Sequence, residues 1–203
     1  MISRRFFLTG ALGALAWPAL YPAMAIADVP QPAKRLVESA KRQIGTTLQY
    51  DGAYARLDYP GGDVPRVRGV CSDVVIRAYR DGLGIDLQKL VHEDMGAHFS
   101  AYPANWGLTR PDRNIDHRRV PNLATFFRRQ GAKLGPEAAY EPGDLVTQVV
   151  GGSLPHIVIV SSERIRDMSR YKIIHNIGGG TVFADGLKAF PITGHYRYFG
   201  SRV

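Results

Sequence analysis

At Pro142-Gly143-Asp144 the hydrophobic rhythm of this chain changes. Before the turn, apolar residues recur at helical spacing. After it, they come in short runs rich in β-branched side chains. Residues 32–45 carry Leu36, Val37, Ala40 and Ile44 on one face, with Pro32 near the start and Gly45 at the end. Residues 71–81 read as a second helix, stopped near Gly82 and Gly84. Asp86 reads as the cap of a third, running through about Phe99, and Pro121 as the start of a fourth that buries Leu123, Phe126 and Phe127 and ends at Gly131. Beyond the turn, 145–150, 156–160, 171–176 and 196–199 read as strands. Gly178-Gly179-Gly180 lacks the strand–turn–helix setting of a phosphate loop and reads as a hairpin turn. Helices followed by antiparallel strands argue for an α+β fold. Two stretches, 46–69 and 100–119, are irregular. Long ordered loops in a compact domain are where binding residues gather.

The N-terminus has its own character. Ser3-Arg4-Arg5-Phe6-Phe7-Leu8 reads as a twin-arginine export signal, followed by an apolar stretch and a small-x-small site at Ala25-Ile26-Ala27. Pro18 and Pro22 interrupt that stretch, which is short for a membrane span. Residues 1–27 are therefore expected to be removed on export to a bacterial periplasm or wall, with 28–203 as one domain. The chain carries a formal net charge of +8. A basic surface suits cell-wall polymer, peptide carboxylates or lipid headgroups; nucleic acid is disfavoured by export and by the lack of a recognition motif.

Cys71 is the one cysteine, in Gly69-Val70-Cys71-Ser72-Asp73, where a helix should begin. It excludes an intramolecular disulfide, a CxxC redox pair and a thiolate-rich zinc site, and no metal or other cofactor is expected. A lone thiol in an oxidising compartment is either buried and inert or used. At a helix N-terminus the dipole is expected to lower its pKa and favour thiolate. Nucleophilic use needs an imidazole and a group that fixes it. His156 opens one predicted strand and His175 lies on the next, so antiparallel pairing would bring them together. His92 and His98 are six apart, a spacing that suits neither one helix face nor a known ligand pattern, and read as structural.

These patches resemble the NlpC-type cell-wall peptidases, a papain-like superfamily. Cys71-Ser72 is similar to their nucleophile motif, Pro142-Gly143-Asp144-Leu145-Val146 to their strand entry, and His156-Ile157-Val158-Ile159-Val160 to their histidine strand. Ile174-His175-Asn176 matches the place of their third polar residue. Closer still, the chain resembles an uncharacterised exported bacterial family within that superfamily, through Tyr59-Pro60-Gly61-Gly62-Asp63, residues 115–122 and Gly194-His195-Tyr196-Arg197-Tyr198. The resemblance implies a papain-like fold, helices packed on an antiparallel sheet, and a thiol hydrolase cutting amide bonds in peptidoglycan peptides. Cys71 would be the nucleophile, His156 the base and His175 the orienting group, with Asn176 as the alternative because strand neighbours face opposite ways. The Cys71 amide would help hold an oxyanion, and Tyr50 or Tyr54 would line the site.

The chain departs from the peptidase pattern at Asp73, an acid in the first helical turn, and in the segment 86–121. Asp73 would favour the helix dipole yet oppose a thiolate, and is expected among the substrate-binding residues. Asp116-His117-Arg118-Arg119 is expected to clamp substrate carboxylates through arginine forks, or else to form an internal ion-pair network. Two other functions compete: a non-catalytic wall-binding module with a degenerate site, and an acyl-transfer or lipid-ester hydrolase.

Overall fold

Apolar faces at helical spacing and a proline in the first turn start the fold as expected. In the computed structural model, which describes residues 29–166 and 170–200, α1 (Gln31–Lys41) buries Ala33, Leu36, Val37 and Ala40. The expected export signal lies outside the described residues. The helix stops before the predicted end at Gly45; turns follow, and Ile44 is left exposed. Two-residue strands β1 (Gln49–Tyr50) and β2 (Arg68–Gly69) pair in parallel inside what reads as loop.

Helix α2 (Cys71–Leu83) is the centre of the molecule. Asp73 accepts the Val70 N–H at 2.7 Å, satisfying an otherwise orphaned donor of the first turn, and Gly84 ends the helix in the left-handed region. Val74, Val75, Ala78 and Tyr79 are almost wholly buried, as are Ser72, Asp73 and Arg77, so α2 is buried around most of its circumference. Asp86 caps α3 (Leu87–His98) by accepting the Gln88 N–H at 3.0 Å. Two 3-10 turns, at Phe99–Ala101 and Asp116–Arg118, bracket a long connection to α4 (Val120–Arg129), which buries Leu123, Phe126 and Phe127.

The second half forms one antiparallel sheet of β3 (Leu145–Val150), β4 (Leu154–Arg164), β5 (Tyr171–Asn176), β6 (Thr181–Ala184) and β7 (Ile192–Tyr196), in the order β6-β5-β4-β3-β7. The α+β expectation is met. The sheet departs from the predicted strands in three ways. β4 opens at Leu154, not at His156. β6 was not expected; the three-glycine turn folds it back so that His175 pairs with Val182. The closing strand was expected at 196–199 but ends at Tyr196. Gly194 is required there, because a Cβ would lie 2.3 Å from the Tyr196 hydroxyl.

Strand alternation divides the sheet into two faces. Leu145, Ile157, Ile159 and Ile174 join Cys71, Val75 and Phe127 in the main core, on the helix side. Val146, Val158, Val160 and Ile173 pack with Leu187 on the other side. His195 and Arg197 both grip the buried Asp144, at 2.7 Å each, which ties the edge strand to the start of β3. These bonds hold the Asp144 carboxyl below its usual range despite its burial.

Candidate active site

Cys71 is the first residue of α2 and is 3% exposed. The backbone N–H groups of Ile157, Ser72 and Cys71 itself lie near the sulfur and favour its charged form, and the Tyr50 hydroxyl lies beside it. Burial nevertheless dominates, and with Asp73 close by the thiol is pushed up to about 11. The expectation of a dipole-lowered pKa is thereby corrected: removing the charged form from water outweighs the donors gathered at the helix start. Burial and the adjacent sulfur also push the Tyr50 hydroxyl up to about 12.

His156 and His175 meet as expected. The Nε2 of His156 lies 2.8 Å from the Nδ1 of His175, so one ring donates a shared proton to the other. Burial lowers both, His156 to about 4 with help from its partner. Both rings are neutral at pH 7. By alternation they share the side of Val158 and Ile173, whereas Cys71 packs with Ile157. The sulfur and the imidazole pair thus lie on opposite sides of β4, with the Ile157 amide, which is near the sulfur, one residue after His156. Among the described residues no hydrogen bond joins the sulfur to the His156 ring, and catalytic contacts of this kind commonly tighten only in a substrate complex.

Asn176 is excluded as the orienting group. Its amide donates to the carbonyls of Gly69, at 2.9 Å, and Gln49, at 3.4 Å, fastening β5 to the segment before α2.

The acidic and basic candidates separate into two classes. Asp73 and Arg118 form a buried, bidentate ion pair, Nε to Oδ1 and Nη2 to Oδ2 at 2.9 Å each. The same guanidinium donates to the carbonyls of Ala53 and Asp51, at 3.1 Å each. The Ser72 hydroxyl donates to the Arg118 carbonyl at 2.6 Å. Asp116 is 1% exposed and accepts the Asp112 N–H; His117 is 2% exposed and pushed down to about 4 by burial. Asp73, Asp116 and His117 are therefore interior residues, not substrate ligands, and the donors of Arg118 are already engaged. The internal ion-pair alternative is realised for Arg118 with Asp73 and in part for Arg119 with Asp116, whereas among the described residues the buried Nδ1 of His117 has no hydrogen-bond partner.

Arg119 differs. With Tyr50, Tyr54, Trp106, Pro121 and Pro155 it lines a cleft of about 430 Å³ that opens onto Cys71. Its guanidinium lies over the Trp106 ring, 4.1 Å from the centroid. The Tyr54 hydroxyl donates to Asp112 at 3.1 Å and accepts from Asn114 at 2.9 Å, which bridges the two irregular segments across the cleft wall. Sequence reasoning missed Trp106 and Pro155 as cleft residues. A tryptophan in a turn-rich loop near a basic cluster is the signal by which the first could be found; Pro155 is placed only by strand parity. Among the described residues no group of three or more His, Cys, Asp or Glu is arranged to hold a metal ion.

The resting chemistry is a protonated thiol, with a neutral imidazole pair across β4 from it. Alkylation of the folded protein by iodoacetamide is expected to be slow at pH 7 and to accelerate by about tenfold per pH unit until the pH nears the thiol pKa. A rate that is already maximal and flat around neutrality would reveal a preformed thiolate–imidazolium pair instead.

The profile of a family described as "Domain of unknown function (DUF1287)" matches residues 37–198. The uncharacterized protein YijF of Escherichia coli (strain K12) is 52% identical over 168 residues, spanning 81% of this chain and 80% of its own length.

Proposed function

The chain belongs to the DUF1287 family, and from the chemistry of its cleft we propose that it is a thiol hydrolase of papain-like, NlpC-type fold that cleaves amide bonds in peptidoglycan peptides after twin-arginine export. One observation carries the reading. The only cysteine starts the central helix and lines a cleft, with the Ile157 amide near its sulfur and a hydrogen-bonded histidine pair on the same strand, whose His156 is one residue earlier. The papain-like assignment is supported by a nucleophile-bearing helix packed on an antiparallel sheet, a histidine on β4 and its polar partner on the neighbouring β5.

His156 commits Nε2 to His175, which leaves Nδ1 to take the thiol proton, relayed through a water because the resting ring lies across β4 from the sulfur. The Cys71 sulfur attacks the substrate carbonyl as that proton leaves, forming a tetrahedral adduct. The Cys71 amide and the Tyr50 hydroxyl are the donors beside its oxyanion. His156 then protonates the leaving amine, and a thioester remains. The same ring next takes a proton from water, which attacks the thioester and frees the acid and the thiol. A protonated resting thiol makes proton transfer part of the attack step.

A second reading, a wall-binding module without turnover, is favoured by the raised thiol pKa and the unformed bond between sulfur and imidazole. Digestion of purified peptidoglycan separates the two. Wild type is expected to release peptide fragments detectable by mass spectrometry, and Cys71→Ala none. Silence from both proteins, with sedimentation on the wall retained, would leave only the binding module.

A further inference from the structure

We infer that Arg119 and Trp106 form a carboxylate-recognising subsite in the Cys71 cleft. It would make the preferred substrates peptides with a free carboxylate near the scissile amide, an assignment that rests on the hydrolase reading for the word substrate but not for the binding itself.

Two arginines stand on the cleft wall, and only one has donors to offer. Arg118 spends Nε, Nη1 and Nη2 on Asp73 and on the carbonyls of Ala53 and Asp51. Arg119, among the described residues, makes one hydrogen bond, from Nη1 to Asp116 Oδ1 at a long 3.3 Å. Its side chain is 17% exposed, and the Trp106 ring covers one face of the guanidinium at 4.1 Å. The ring restrains the guanidinium and, apart from the long bond to Asp116, leaves its N–H donors for a ligand. A planar fork held this way matches the two oxygens of a carboxylate. Partial withdrawal from water strengthens such a bond.

Asp112 and Asp116 both lie near Arg119 and offset its charge. Selection must therefore come from the geometry of the fork and not from a positive field. That sets a modest expectation of about tenfold in affinity, the worth of one charge-assisted contact weakened by its neighbours. Both residues belong to the segment 86–121, in which the sequence departs from the common peptidase pattern.

The protein supplies its own reporter. Its two tryptophans are Trp17 and Trp106. In the full chain carrying Trp17→Phe, to isolate the signal, and Cys71→Ala, to prevent turnover, Trp106 emission is titrated with acetyl-Ala-Glu-Lys and with the same peptide with both carboxylates amidated. The free acid is expected to bind about tenfold more tightly than the diamide. Arg119→Gln is expected to make the two peptides equal, and Arg119→Lys to keep part of the difference, with far-UV circular dichroism confirming the fold. Equal affinities in the parent chain, no binding of the free acid, or discrimination that survives Arg119→Gln would each overturn the subsite. In the Cys71-bearing chain, hydrolysis indifferent to amidation would remove this inference alone. Carboxylate-selective binding without hydrolysis would remove the hydrolase reading alone.

Discussion

Arg118→Ala is expected to lower the unfolding free energy by about 3–5 kcal/mol, because it leaves the Asp73 carboxylate buried without its counter-ion. Asp73 is 3% exposed, and its remaining partner is the Val70 N–H. A loss of that size is a large share of the stability of an ordinary domain. Removing both partners, in Asp73→Ala combined with Arg118→Met, is expected to recover most of it, since a buried ion pair is often no better than apolar packing. Recovery will fall short by about 1 kcal/mol, because Asp73 also closes the first turn of α2. Urea denaturation of the two single variants and the double variant measures the coupling. A double variant no more stable than Arg118→Ala would show that the pair is not the source of the loss.

On the hydrolase reading, the largest effect on turnover after loss of the nucleophile is expected at His156. With general acid and base both removed, His156→Ala should reduce kcat by about 10²–10⁴ with little change in KM. His175→Ala should cost less, because His175 reaches the substrate only through His156, and the double variant should be no slower than His156→Ala alone. The pH profile carries the sign. The base works when unprotonated, and burial together with the second ring lowers His156 to about 4. Activity should therefore hold through pH 6 and fall only as the pH approaches 4. An acid limb near pH 6.5 would mean that the working ring is solvated and that the buried arrangement is not the reactive one.

The sequence discloses this site unevenly, for identifiable reasons. Periodicity located the helices, most of the sheet and the pairing of His156 with His175, because these depend on spacing within or between neighbouring elements. It could not sort Asp116-His117-Arg118-Arg119. Which arginine turns inward is decided by Asp73, Ala53 and Asp51, which lie 45 to 67 residues away along the chain. β6 escaped because four residues are too few to set a rhythm. The closing strand was drawn too late because Tyr198 is apolar for another reason. Its ring packs against Phe126 and Phe127, and its carbonyl accepts the Tyr79 hydroxyl at 2.7 Å. The thiol was misjudged because dipole position is visible in a sequence and depth of burial is not.

Asn176 and His175 are consecutive, yet one anchors the approach to α2 and the other holds the imidazole on the far side of the sheet. A single strand is thus the common datum for both halves of the chemistry. Slipping β5 by one residue against β4 would exchange the two side chains between faces, releasing the nucleophile's approach segment and the base together. On the proposed reading, the relative placement of nucleophile and base is accordingly set by how β5 seats against its neighbours, before substrate binds.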